Sequence, residues 1–245
     1  MKNILSIALC ATAIAAFGDD IVVSTTQVGI YPVQSTTSNT LIAVSLHGDD
    51  GQAISVSNLV KTANLTVGDK LYAFDSETGL YEGWELDENM RWKSATTKYS
   101  INASGNIVEE AGEPAGGATQ IVGTGIWLVR AVTPAEEFTI YMTGQPVSSP
   151  TTTIVKGKTN LVGNPTKAAG TPVIPEAVPV AGDAIEVPNG TGRTRYQYNG
   201  TNWSSIDLTK TIPLPKVGLP LIPANTGFWY ISKGDENFDI TWPEN

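Results

Sequence analysis

A chain of 245 residues with 24 acidic and 15 basic side chains, a formal charge of −9, is ill suited to a phosphate-rich partner. Nucleic-acid binding rests on clustered Lys and Arg, and here the basic residues stand singly, so no nucleic-acid partner is expected. Charged residues make up 16% and hydrophobic residues 41%; abundant Thr, Val, Gly and Pro, with no Ala/Leu/Glu/Lys runs, suit short strands joined by turns.

In chain order, residues 1–18 read as a secretory signal. Lys2 is the basic start, Ile4 to Ala16 is uncharged and apolar, and Ala13-Ile14-Ala15 and Ala16-Phe17-Gly18 offer small-residue cleavage sites. That apolar run falls short of the roughly twenty residues a bilayer span requires, and no later run is longer, so no membrane span is expected in the mature chain. The expected location is extracellular or at the cell surface, with a periplasm as the alternative. Cys10, the one cysteine, lies inside this segment and follows Leu9, which does not fit a lipoprotein signal. The mature chain therefore has no thiol or disulfide, and its domains must be stable through their cores.

From Ile21 to Val33 nearly every residue is strand-forming, and thirteen extended residues would reach roughly 43 Å, long for one strand. Either the segment forms two strands or one bent strand within its own domain, or it adds to a sheet edge of a neighbouring molecule as a donated strand. Ile21, Val22, Val23, Val28 and Ile30 are the candidate assembly residues. Next, Ile54 to Ala63 reads as one or two helical turns. Lys70 to Phe74, the turn Asp75 to Gly79, and Leu80 to Trp84 read as a β-hairpin. Ala111 to Gly117 looks like a loop inserted between strands.

The second half repeats landmarks of the first in the same order. Leu41-Ile42-Ala43 matches Leu161-Val162-Gly163, Gly68-Asp69 matches Gly182-Asp183, and Trp92 matches Trp203. Gly125-Ile126-Trp127-Leu128-Val129 matches Gly227-Phe228-Trp229-Tyr230-Ile231, and Phe138-Thr139-Ile140 matches Phe238-Asp239-Ile240. Within the second copy, Ala184 to Pro188 and Arg195 to Tyr198 flank the turn Asn189 to Gly192, and Asn199-Gly200 is a further hairpin signal. Prolines 172, 175 and 179 forbid a regular helix there. The expected fold is all-β: two tandem antiparallel β-sandwich, or partly closed barrel, domains related by internal duplication. Residues 19–148 form the first, 149–153 a linker, and 154–245 the second, with Trp127 and Trp229 at equivalent interior positions.

Three features resemble a group of exported bacterial β-proteins of no established activity. They are the opening Val28-Gly29-Ile30-Tyr31-Pro32-Val33 followed by Leu41 to Leu46, the Gly68-Asp69 strand with its aromatic hairpin, and the Gly-x-Trp closing strand. Asn164-Pro165 and Gly227-Phe228-Trp229 keep the group's pattern, whereas Val44-Ser45-Leu46 and Ile126-Trp127 depart from it. The resemblance implies export and an all-β fold, and it supplies no catalytic residue.

Chemistry-bearing residues are sparse. His47, the single histidine, sits beside Gly48-Asp49-Asp50-Gly51 in an expected loop. Without a second His or any mature Cys it cannot build an ordinary zinc site, and no G-x-S-x-G elbow supports a triad. Glu109-Glu110 and Glu136-Glu137 could pair for glycoside hydrolysis by residue type alone, but they have no counterparts in the other copy and read as solvated charge. Asp49-Asp50, Asp87-Glu88-Asn89 and Asp235-Glu236-Asn237 offer oxygen ligands for calcium, yet none follows the D-x-[DN]-x-[DN]-G spacing, so no cofactor is assigned. Trp92 and Trp203 recur at equivalent positions, as shared packing residues or as exposed rings for sugar stacking. The functional expectation is an exported, non-catalytic structural or adhesive protein that self-associates as a surface or filament subunit. The alternative is a secreted carbohydrate-binding module.

Overall fold

The computed structural model describes residues 29–35, 38–47, 53–55, 59–61, 63–101, 107–111, 119–120, 124–134, 136–146, 150–189, 192–206, 213–216 and 218–243. In the first half the strands are β1 (Gly29–Ser35), β2 (Asn39–Ala43), β3 (Leu46–His47), β4 (Ile54–Ser55), β5 (Val60–Lys61) and β6 (Lys70–Asp75). They continue with β7 (Leu80–Leu86), β8 (Trp92–Ile101), β9 (Ile107–Ala111), β10 (Thr119–Gln120), β11 (Gly125–Val129) and β12 (Phe138–Pro146). The second half contains β13 (Thr151–Ile154), β14 (Thr159–Gly163), β15 (Ala184–Asn189), β16 (Gly192–Tyr198), β17 (Trp203–Ile206), β18 (Pro213–Lys216), β19 (Gly227–Ile231) and β20 (Phe238–Thr241).

The duplication is written in the sheet order. The first half builds a six-stranded sheet β2-β11-β6-β7-β8-β9, and the second builds β14-β19-β15-β16-β17-β18, strand for strand the same path. Registers agree as well: Leu41 pairs with Trp127 as Leu161 pairs with Trp229, and Ala43 with Gly125 as Gly163 with Gly227. Each large sheet is covered by a smaller one. In the first half β1 and β12 pair along seven residues, with β3 and β5 on the far side of β12; in the second, β13 and β20 pair along four. Thr151 to Thr153, expected in the linker, thus belong to an edge strand held by β20.

Period-two alternation sends one face of each large sheet into its own sandwich. Ile42, Leu71, Trp84, Leu86, Ile126 and Leu128 meet Val33, Val60, Ile140 and Met142 in the first core. Val162, Ile185, Trp203, Phe228 and Tyr230 meet Ile154, Phe238, Ile240 and Trp242 in the second. Each such aliphatic or aromatic side chain taken fully from water contributes about 1.5–3 kcal/mol before conformational entropy is charged against it.

The hairpin read at Lys70–Trp84 is present in register, Lys70 opposite Glu85 and Asp75 opposite Leu80. The Asp75 carboxylate accepts from the Glu77 backbone N–H at 2.8 Å and the Thr78 hydroxyl at 2.8 Å, and Gly79 closes the turn at φ +74°. At Asn199-Gly200 the hairpin is longer than a two-residue turn, because Tyr198 pairs with Trp203 across four loop residues. There the Asn199 side-chain oxygen accepts from the backbone of Thr201 and Asn202, both at 2.9 Å. Of the segment 54–63, expected to hold one or two helical turns, Leu59 is helical, residues 56–58 and 62 lie outside the described residues, and the flanks are strand, Ile54 pairing with Gln120 and Val60 with Met142. At Ile54 and Val60 sheet pairing has overridden the apolar spacing. No helix among the described residues is long and apolar enough to cross a membrane. Gly112 to Gly117 of the expected insertion lie outside the described residues.

Candidate functional site

Trp127 and Trp229 occupy equivalent strand positions, but they do not lie in the interiors of their own sandwiches. Ile126 and Leu128, and Phe228 and Tyr230, take the core side, so the tryptophans project from the opposite face of each large sheet. There the two halves meet. Leu41, Tyr72 and Tyr81 of the first half and Leu161 and Trp229 of the second form a third apolar cluster, with Phe74, Trp127 and Val129 packed at its margin. The Trp229 ring lies edge-on to Phe74 at 5.0 Å and to Tyr81 at 6.2 Å. Trp229 is 2% exposed, whereas Trp127 is half-buried.

This junction is reciprocal. Ile42 bridges to Thr226, and its counterpart Val162 bridges to Thr124, the counterpart of Thr226. A Cβ on Gly125 would stand 2.8 Å from Leu161 Cγ, and one on Gly227 would stand 2.5 Å from Leu41 Cγ. A Cβ on Gly163 would collide with Ala43, its own counterpart. Such swapped equivalences define a local two-fold axis, the geometry of an isologous dimer contained in one chain. The glycines serve close approach: any side chain there would occupy space that the other half fills. Backbone and side-chain bonds lock the same place, with the Ala43 N–H donating to Asn225 O at 3.0 Å and the Ser45 hydroxyl to Asn225 Oδ1 at 2.8 Å.

The axis relates positions, not chemistry. Where the first half has Tyr72 and Tyr81, the second has Glu186 and Arg193 at the corresponding register. Glu186 is buried and accepts from Arg193 at 3.2 Å and Arg195 at 3.1 Å, leaving the trio with one net positive charge. Burial pushes the Tyr81 phenol well above its ordinary pKa; a hydrogen bond from Trp127 and the charge of Arg193 pull the other way. Arg193 therefore lies within electrostatic reach of its own counterpart.

Two fully buried aspartates fasten the loops at one end of each large sheet. Asp69 accepts from the Thr66 N–H at 2.9 Å, the Thr66 hydroxyl at 3.1 Å and the Ala131 N–H at 2.8 Å. Asp183 accepts from the Val180 N–H at 3.3 Å and the Lys233 N–H at 2.6 Å. These are anchors for the chain leaving each Gly-x-Trp strand, and both carboxylates are committed to protein groups.

The candidate assembly residues divide. Ile30 lies in β1 opposite Thr143, so its backbone is used within its own domain; Ile21, Val22, Val23 and Val28 lie outside the described residues. The sugar-stacking candidates are engaged in packing. Trp203 is 7% exposed, against Tyr198 and Tyr230, and Trp92 is half-buried with its indole N–H donated to Val60 O at 3.2 Å. His47 lies in strand β3 opposite Gln145, not in a loop, because Leu46-His47 completes the sheet beside β12. Glu109 and Glu110 pair in β9 with Tyr99 and Lys98, and Glu136 and Glu137 are exposed. Asp87 accepts from the N–H groups of Asn89 and Arg91, and Asn237 accepts from the Lys156 N–H. Asp49-Asp50 lies outside the described residues, among which no group of three or more His, Cys, Asp or Glu is placed to hold a metal ion.

Sequence reasoning missed Arg130, the Glu186–Arg193–Arg195 trio and the junction itself. The one available signal was the recurrence of glycine at positions 125 and 227. No protein-family model, no curated protein and no solved structure matches the chain.

Proposed function

We propose that this chain is an exported, non-catalytic structural or adhesive protein, a cell-surface or filament subunit that assembles through its N-terminal segment. The observation that carries the reading is the position of β1. It pairs with β12 on one side and with no strand among the described residues on the other, and in the sequence the apolar stretch Ile21-Val22-Val23 stands five residues before this edge strand. Sheet edges present unpaired backbone donors and acceptors, which makes them the natural point of strand addition between molecules. Further support comes from where the polar groups go: the buried carboxylates of Asp69, Asp183 and Glu186 all bind protein partners.

The test is removal of residues 19–27 from the mature chain. The intact chain should show polymers by negative-stain microscopy and a mass above the monomer by light scattering, and the truncated chain should lose both. Equal assembly by the two chains rules out strand donation.

A further inference from the structure

The reciprocal junction between the halves leads to a second mode of self-association. We propose that a second copy of this chain can take the place of the chain's own other half, so that the first half of one molecule docks on the second half of the next. This deepens the assembly reading above and rests on it, but it uses a different surface.

The argument is geometric. Among the described residues all strand ladders stay within a half, and the chain passes from β12 to β13 between Pro146 and Thr151. Among the described residues the halves also touch through the bridges Ile42–Thr226 and Thr124–Val162, the three glycine contacts, the aromatic cluster, and the hydrogen bonds of Ala43 and Ser45 to Asn225 and of Lys158 to Glu77. Exchange between molecules would rebuild every one of those contacts unchanged. It therefore costs no interface energy, and mass action against the local concentration set by the connection decides the balance.

The chemistry of the two faces selects which halves pair. Arg193 occupies the register position of Tyr81, so joining two second halves would set an arginine already paired with Glu186 where the Tyr81 ring packs edge-on to Trp229. Joining first to second places the aromatic wall of Tyr72, Phe74 and Tyr81 against Leu161 and Trp229, as within the chain. Preferred pairing is thus first-to-second. Repeated between chains it is head-to-tail, and a head-to-tail contact propagates as an open filament or closes as a ring.

Residues 77 and 158 report the contact, since the Lys158 ammonium donates to Glu77 O at 3.3 Å across the junction and both residues are exposed. The chain after residue 18 contains no cysteine. Mature chains carrying Glu77→Cys alone and Lys158→Cys alone are mixed, held at high concentration and treated with a short bismaleimide. The expected product is a covalent pair of unlike chains, whose ratio to monomer rises about tenfold for a tenfold rise in concentration while monomer predominates. It should survive deletion of residues 19–27 and be lost when Gly227→Val, or independently Gly125→Val, is added to both chains. The proposal is overturned if the doubly substituted chain links internally while the mixture yields no cross-chain product, if the product persists in the Gly→Val chains, or if it needs residues 19–27. Polymers without the 77–158 link would defeat this inference and leave strand donation standing; linked closed dimers without polymers would do the reverse.

Discussion

The equivalent buried aspartates of the two halves are satisfied in two ways, one by an ion pair and one by neutral donors. In the first, Arg130 lies beside Asp69 with Nε 2.8 Å from Oδ2 and its guanidinium 4.3 Å over the Phe138 ring. In the second, the position of Arg130 is Ser232, and no cation among the described residues is paired with Asp183. Instead the Tyr230 hydroxyl donates to Asp183 at 2.8 Å, from the strand position that holds Leu128 in the first half, and the Tyr230 ring packs edge-on to Phe238 at 5.4 Å. The backbone task is conserved between halves while the compensation of charge is not. A carboxylate that accepts from two loops fixes their geometry whether its partner is an ion or a phenol, and the partner determines what happens when the carboxylate is lost.

The largest break in that comparison should come from Asp69→Asn. It strands a buried guanidinium, at a cost of about 3–5 kcal/mol, whereas Asp183→Asn leaves only neutral donors short of an acceptor, about 1–3 kcal/mol. Denaturant midpoints of the two variants measure the difference, and equal losses would mean that Arg130 is not held by Asp69. Next in size is the junction. Gly227→Val should cost about 1–3 kcal/mol by overpacking against Leu41. A double-mutant cycle with Leu41→Ala, in the other half, should return a coupling of about 0.5–3 kcal/mol; strict additivity would mean that the halves do not meet there.

The smallest effect is alkaline. Both Tyr81 and Tyr230 are held protonated well above the ordinary phenol range, foremost by burial; for Tyr230 the charge of Asp183 and the hydrogen bond to it act in the same direction. In the unfolded chain these phenols ionise near pH 10, so the native state binds the extra protons. Their contribution to stability is complete below that pH and declines above it, by at most about 1.4 kcal/mol per pH unit for each phenol. Tyr230→Phe should flatten this alkaline decline without changing its onset; an unchanged slope between pH 10 and 11 would count against a buried, protonated Tyr230.

Much of the fold was legible because the landmarks are core strands. Leu41-Ile42-Ala43 and Leu161-Val162-Gly163 recur, and their partners Gly125–Val129 and Gly227–Ile231 recur with them, so the duplication and its order could be read directly. The direction in which Trp127 and Trp229 point could not. Both strands are buried on two sides and read as continuous apolar runs, which erases the alternation that would assign a face. Ile54 and Val60 misled for the complementary reason: their spacing suits a helix, and only pairing with distant Gln120 and Met142 makes them strands. The Asp69–Arg130 pair joins residues far apart in sequence and carries no local signature.

The register of the small sheets has a mechanical consequence. Gly29 at the start of β1 lies opposite Gly144 near the end of β12, and Thr151 at the start of β13 lies opposite Thr241 at the end of β20. In either half, a pull applied between the two chain ends therefore peels the outermost ladder open one residue pair at a time instead of shearing all its bonds together. Tension carried along the covalent chain would open these sheets at low force. A thread of such subunits would resist stretching only if the load entered sideways, through contacts that spread it over a whole sheet.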